Sequence, residues 1–162
     1  MRATNKLLQR IGPATVREGE ASTTGLGEWY GTVLFWRPQV VLLVNEKTLV
    51  PVLLPLAPAA GLLARLPEQI GRVLVVHGAS PVFLEEERRQ MSDARVAKTA
   101  NRSVVGVLTE FARLAEVYRS DASAPDLLAL AVRLAGTPCG PLYHRNVSPD
   151  RELAAYLRTR AG

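Results

Sequence analysis

The sequence predicts an α+β fold, an antiparallel β-sheet covered by helices, and two observations carry that prediction. From Glu28 to Leu54 the chain is dense in β-branched, aromatic and leucine residues broken only by short polar turns. Beyond Ser103 the apolar positions recur at helical spacing instead. Strands gathered early and helices late is the pattern of segregated α+β packing. A chain of 162 residues, 48% hydrophobic, suffices for one core and is short for two. The expected organisation is a single compact unit: an α+β core domain over 1–119 and a C-terminal helical elaboration over 120–162 packed on it.

Each element has a local reason. Leu7, Leu8 and Ile11 give a short helical spacing, stopped by Gly12-Pro13. Residues 14–27 are polar and glycine-rich, which predicts a surface loop. Glu28 to Trp36 reads as a strand, Arg37-Pro38 as a turn, and Val40 to Val44 as a strand covered on both faces. Asn45-Glu46-Lys47 is the next turn and Thr48 to Leu54 a third strand, placed at an edge or bulge because Pro51 lacks an N–H. These three make an antiparallel meander at about 28–54. Pro67 at a first-turn position opens a helix with Ile70, Val73, Leu74 and His77 on one face, closed by Gly78. Glu85-Glu86-Glu87-Arg88-Arg89 reads as a solvated helical face, and 94–98 as a short strand. Val104, Val105, Leu108, Phe111, Ala112 and Ala115 follow helical spacing. Ser123-Ala124-Pro125-Asp126 resembles a capping box before Leu127, Leu130 and Leu134, with Gly136 closing that helix. Ser148-Pro149-Asp150 caps a last helix carrying Leu153 and Leu157.

Composition excludes several classes. The net charge of +5 favours anionic partners, yet the positive charge is dispersed, with no run of cations beyond Arg88-Arg89. A single cysteine, Cys139, excludes an intrachain disulfide and, with two histidines, a cysteine-based zinc cluster. A reducing cytoplasm fits that usage, and Met1-Arg2-Ala3-Thr4-Asn5-Lys6 begins no apolar signal segment. Pro51, Pro55 and Pro58 break the longest apolar stretch, so no membrane span is expected. There is no Walker loop, dinucleotide fingerprint, His-x-x-x-His pair or paired acidic cluster, and no cofactor is expected. A homodimer through the C-terminal helices is one way to cover their leucines.

The sharpest local signal is the lysine distribution. Three of twenty basic residues are lysine, and two of those sit in matching polar patches, Asn45-Glu46-Lys47-Thr48 and Lys98-Thr99-Ala100-Asn101-Arg102-Ser103. A lysine kept amid seventeen arginines points to a task that needs a compact, rotatable ammonium. Asn101 or Ser103 would cap the helix that follows, and capping alone accounts for both. It does not account for Lys98 and Arg102, because cations beside a helix N-terminus oppose its dipole. An anion held there would remove the conflict. The first patch is equally readable as an ordinary hairpin turn in which Asn45 takes a left-handed conformation. If the two strand ends meet, Lys47 and Lys98 converge on one site. Trp29, Tyr30 and Trp36 are either core or stacking residues, with Trp29 the candidate stacking wall. Cys139 and His144 lack an orienting third group, and His77 reads as a core or rim histidine.

Three stretches carry a resemblance: Leu26-Gly27-x-Trp29-Tyr30, then Val44-Asn45-Glu46-Lys47-Thr48-Leu49, then Ala97-Lys98-Thr99-x-Asn101-Arg102-Ser103-Val104-x-Gly106. In this order they resemble an uncharacterised bacterial family of unknown function, over roughly residues 1–115. Members often show Met-Asn-Asp after the helix-borne glycine, where this chain has Leu108-Thr109-Glu110. The tail around Thr137-Pro138-Cys139-Gly140-Pro141 is similar to an elaboration of some members. The resemblance implies no activity. Three functions stay compatible with the residues. One is a module binding an anionic ligand, nucleic acid or nucleotide, through Lys47, Thr48, Lys98, Thr99, Asn101, Arg102, Ser103 and Trp29. Another is a metal-independent enzyme acting on a phosphodiester or phosphate ester. The third is an interaction protein whose polar patches only shape the fold.

Overall fold

The strand-rich early segment and the later helices meet in a sheet with helices on both faces. The structure, a computed structural model, describes residues 1–14, 24–92, 95–119 and 125–161. Most of the expected loop at 14–27, the first residue of the expected strand at 94–98, and Ser123-Ala124 of the expected capping box lie outside the described residues.

Among the described residues there are five strands: β1 (Arg2–Ala3), β2 (Trp29–Leu34), β3 (Val40–Asn45), β4 (Pro51–Pro55) and β5 (Ala97–Lys98). The antiparallel meander is present as β2, β3 and β4, with Tyr30 opposite Val44 and Leu42 opposite Leu53. Pro51 opens β4, an edge strand, where its missing N–H costs no ladder bond. The expectation of an antiparallel sheet is corrected, however. The sheet is mixed, in the order β4-β3-β2-β1-β5, and β1 runs parallel to both β2 and β5. The reason is length: two residues cannot display a period-2 pattern, and Arg2 finds its partners Tyr30 and Ala97 far along the chain.

Six helices cover this sheet among the described residues: α1 (Asn5–Ile11), α2 (Leu62–Val76), α3 (Pro81–Gln90), α4 (Arg102–Arg119), α5 (Leu127–Ala135) and α6 (Pro149–Ala161). Alternation along β2 divides the core. Trp29 and Val33 join Leu7, Leu62, Ile70, Leu74 and Leu153 on one side. Tyr30 and Leu34 join Val104, Leu108, Phe111, Leu130 and Leu134 on the other. Leu130, Leu134 and Leu153 are thus buried within the single chain. The caps follow local chemistry. Thr4, Ser80 and Asp126 cap α1, α3 and α5 with side-chain oxygens, and Gly12 and Gly78 end helices at positive φ.

Two local expectations shift. Pro67 lies inside α2 rather than opening it, because the apolar series Leu62, Leu66 and Ile70 starts earlier. Arg65 steadies that early start by donating to the carbonyls of Pro55, Leu56 and Pro58. The acidic run of α3 is not wholly solvated, since Glu87 is only 2% exposed.

Candidate functional site at the start of α4

The loop after β5 enters α4 through Asn101. Its Oδ1 accepts from the N–H groups of Ser103 (2.9 Å) and Val104 (3.3 Å), so Asn101 is the cap. Its own N–H donates to the hydroxyl of Tyr30 at 3.0 Å, which ties the helix start to β2. Arg102 and Ser103 are exposed, Thr99 is half-buried, and no acidic residue stands in the first turn of α4. Lys98 is exposed on the edge strand β5, where its carbonyl accepts from Arg2 Nη1 at 3.0 Å. Neither the Lys98 ammonium nor the Arg102 guanidinium pairs with a carboxylate among the described residues.

The other lysine patch has a different occupation. Asn45 is fully buried at the end of β3. Its Nδ2 donates to Leu26 O (2.9 Å) and Glu28 O (3.4 Å), while its Oδ1 accepts from Lys47 N, Thr48 N and Thr48 Oγ1. The left-handed residue of this turn is Leu49, at φ 61°, and not Asn45. Glu46 Oε1 accepts from Glu28 N at 2.8 Å, and Lys47 Nζ donates to Gly25 O at 2.8 Å. Every polar group of Asn45-Glu46-Lys47-Thr48 named here therefore holds the 24–28 loop or the turn itself. With β2 and β1 between β3 and β5, three strand spacings, about 14 Å, separate β3, whose following turn carries Lys47, from β5, which carries Lys98. Thus Lys98, Thr99, Asn101, Arg102 and Ser103 are neighbours, whereas Lys47 and Thr48 lie across the sheet. Trp29 is 4% exposed and offers no face to a ligand.

Sequence reasoning missed the partners of that loop. Gly25 O also accepts from the Tyr156 hydroxyl at 2.6 Å, and Gly25 N donates to Gln90 Oε1 at 3.0 Å. Glu87 lies beneath, and burial raises its pKa above the ordinary carboxylate value. The Gly25 and Leu26 N–H groups, with Arg160 and Lys47, pull it partly back. Its Oε2, the Trp29 indole nitrogen and His77 Nε2 are buried without a hydrogen-bond partner. Nothing in the local sequence marks Glu87, Gln90 or Tyr156, because each acts on a loop remote along the chain.

An open pocket of about 380 Å³ lies between α4 and the 138–143 segment, walled by Ser103, Gly106 and Glu110 on one side and Cys139 and Tyr143 on the other. Burial, with the Glu110 carboxylate adding to it, pushes the Cys139 thiol up to about 11. The thiol is therefore protonated at neutral pH and is a poor nucleophile. His144 is exposed, and among the described residues no three His, Cys, Asp or Glu side chains gather as metal ligands.

The fold defines the class of protein, an α+β domain built on a mixed sheet. The chain belongs to the family DUF6933, a domain of unknown function, whose model matches residues 1–152. No curated protein and no solved structure matches it. Among the described residues no helix is long and apolar enough to cross a membrane.

Proposed function

We propose that this protein binds an anionic ligand, nucleic acid or a nucleotide, at the start of α4 through Lys98, Thr99, Asn101, Arg102 and Ser103. One observation carries the reading: among the described residues Lys98 and Arg102 have no carboxylate partner, and they stand beside the positive end of an 18-residue helix that has no acidic residue in its first turn. Such an arrangement is electrostatically unfavourable until something negative joins it. Asn101 already takes the Ser103 and Val104 N–H groups, so the donors left for a ligand are chiefly side chains. Binding is then led by the ammonium and guanidinium, with Thr99 and Ser103 hydroxyls as neutral partners. Lys47 and Thr48 hold the 24–28 loop and its turn, across the sheet from this patch. The single buried thiol fits a reducing cytoplasm.

The test is binding of single-stranded RNA, single-stranded DNA, nucleotides and inorganic phosphate over a salt series, for the wild type and for Lys98→Ala/Arg102→Ala. Affinity for a nucleic acid should fall with salt, and the double variant should flatten that fall by about 0.7 per lost phosphate contact on a single strand. If no anion binds the wild type better than the variant, Lys98 and Arg102 are idle surface cations.

A further inference from the structure

At the far end of β2 from Trp29, the structure leaves an aromatic ring outside. Phe35 follows the last paired residue, Leu34, and is 55% exposed, whereas its neighbour Trp36 is buried with its indole N–H donating to Glu116 Oε2 at 2.7 Å. Alternation along β2 sends Phe35 to the same side as Trp29 and Val33, but beyond the sheet's last paired row. There it meets α1, and the Arg10 guanidinium lies 5.6 Å from its ring centroid. A single exposed aromatic is ordinary. Its electrostatic surroundings are not.

Residues 1–14 and 29–45 contain Arg2, Lys6, Arg10 and Arg37 and no Asp or Glu. Lys6 and Arg10 are exposed one turn apart on α1, and Arg37 is exposed two residues beyond Phe35. On α3 and α4, Arg89, Arg113 and Arg119 are paired three residues away, with Glu86, Glu110 and Glu116. Lys6, Arg10 and Arg37 pair with no carboxylate among the described residues. Glu116, which reaches Trp36, is itself held by Arg119. The parallel register of β1 and β5 sets Lys98 beside Ala3, three residues before Lys6. Among the described residues, then, Lys98 and, through β1, Lys6 and Arg10 are cations without a carboxylate partner, and Arg10 stands over an open ring.

We infer that Phe35, framed by Lys6, Arg10 and Arg37, is a base-stacking platform for single-stranded nucleic acid. This rests on the proposed anion site in that the strand's phosphates would continue from Lys98 and Arg102 onto Lys6 and Arg10. The ring selects the ligand class. A duplex keeps its base faces stacked inside and gives the ring nothing to stack on. An acidic peptide would use the cations and not the ring. A membrane surface needs a broader apolar face than one phenyl group.

The experiment measures fluorescence anisotropy of a short labelled oligouridylate, an oligothymidylate and a hairpin duplex, with polyglutamate as competitor. The proteins are wild type, Phe35→Leu, Phe35→Trp, Lys6→Ala/Arg10→Ala and Lys98→Ala/Arg102→Ala, each matched to wild type by thermal melting. Phe35→Leu keeps an apolar side chain but cannot stack, and should weaken single-strand binding roughly 5- to 150-fold while leaving duplex binding unchanged. Phe35→Trp should retain or tighten it. Lys6→Ala/Arg10→Ala should lower the salt slope by about 1.4, the value for two single-strand phosphate contacts. Single-strand binding by Phe35→Leu equal to wild type overturns the platform, as does equal loss for duplex and single strand, or complete competition by polyglutamate. If Phe35→Leu is unaffected while Lys98→Ala/Arg102→Ala loses binding, the α4 site stands and the platform falls. The reverse pattern keeps the platform and removes the α4 site. A wild type that binds neither strand type sinks both.

Discussion

Replacing Asn45 by alanine should be among the most damaging single changes in this chain, for reasons that have nothing to do with a ligand. The side chain is fully buried and joins two stretches of backbone. Its Nδ2 satisfies Leu26 O at 2.9 Å and reaches Glu28 O at 3.4 Å, while its Oδ1 accepts from Lys47 N at 3.1 Å and from Thr48 N and Thr48 Oγ1 at 3.0 Å. Truncation leaves those donors and acceptors without their partner, two of the Thr48 contacts being wholly buried. At about 1 kcal/mol for each lost bond, and more where a buried donor is orphaned, the cost is about 3–5 kcal/mol. For a domain of this size that lowers Tm by about 6–20 °C. Asn45→Asp separates the two halves of the role. It keeps the acceptor for the turn but aims a buried carboxylate at the Leu26 and Glu28 carbonyls. Asn45→Asp should therefore also melt below wild type at neutral pH, where the ionised group cannot donate to either carbonyl. Melting followed by circular dichroism reads both effects. An Asn45→Ala variant melting within about 2 °C of wild type would refute the clamp, and anion affinity of the folded variant should be unchanged.

Glycine substitutions should go in opposite directions: Gly27→Ala destabilises, because Gly27 sits at φ +76° with Glu46 Oε1 where a Cβ would go. Gly106→Ala, one turn into α4 with nothing within 4 Å of the added methyl, should stabilise by about 0.5–1 kcal/mol. Calorimetry of the two variants checks the signs. Glu87 has a folded pKa raised chiefly by burial, so the stability it contributes is full below the unfolded-state value and is lost as pH rises through the raised one. Glu87→Gln should remove that loss, and its Tm relative to wild type should climb from acid to neutral pH; a constant difference would count against a buried charge. Ending the chain after Arg119 removes the α5 side chains Leu130 and Leu134 from the core shared with Leu42 and Phe111, and we expect aggregation on expression. A soluble, equally stable truncated protein would show that residues 120–162 are a separable appendage.

Local sequence was sufficient for the meander and for most helices, because each rests on forces between residues a few positions apart. Val40 to Val44 reads as a doubly covered strand from its own side chains, and β3 is buried along its length. Gly12, Gly78, Asn101, Asp126 and Gly136 mark helix ends through caps that need no distant partner. The grouping of Lys98, Thr99, Asn101, Arg102 and Ser103 at one helix start was legible for the same reason.

Tertiary structure decided whatever depends on two remote stretches meeting. β1 becomes a parallel strand only because Tyr30 and Ala97 arrive on either side of Arg2, and a two-residue segment carries no pattern that announces it. Glu87 sits in a run that reads as solvated, and is buried because α3 lies under the Gly25 loop. Phe35 reads as one more strand aromatic, and is exposed because the sheet's pairing ends one residue earlier. The two Lys-Thr patches look alike in sequence. Lys47 turns to the Gly25 carbonyl across a tight turn, while Lys98 lies on an edge strand with its ammonium open to solvent. Strand order separates them, and strand order is a property of pairings between distant residues, which neither composition nor periodicity encodes.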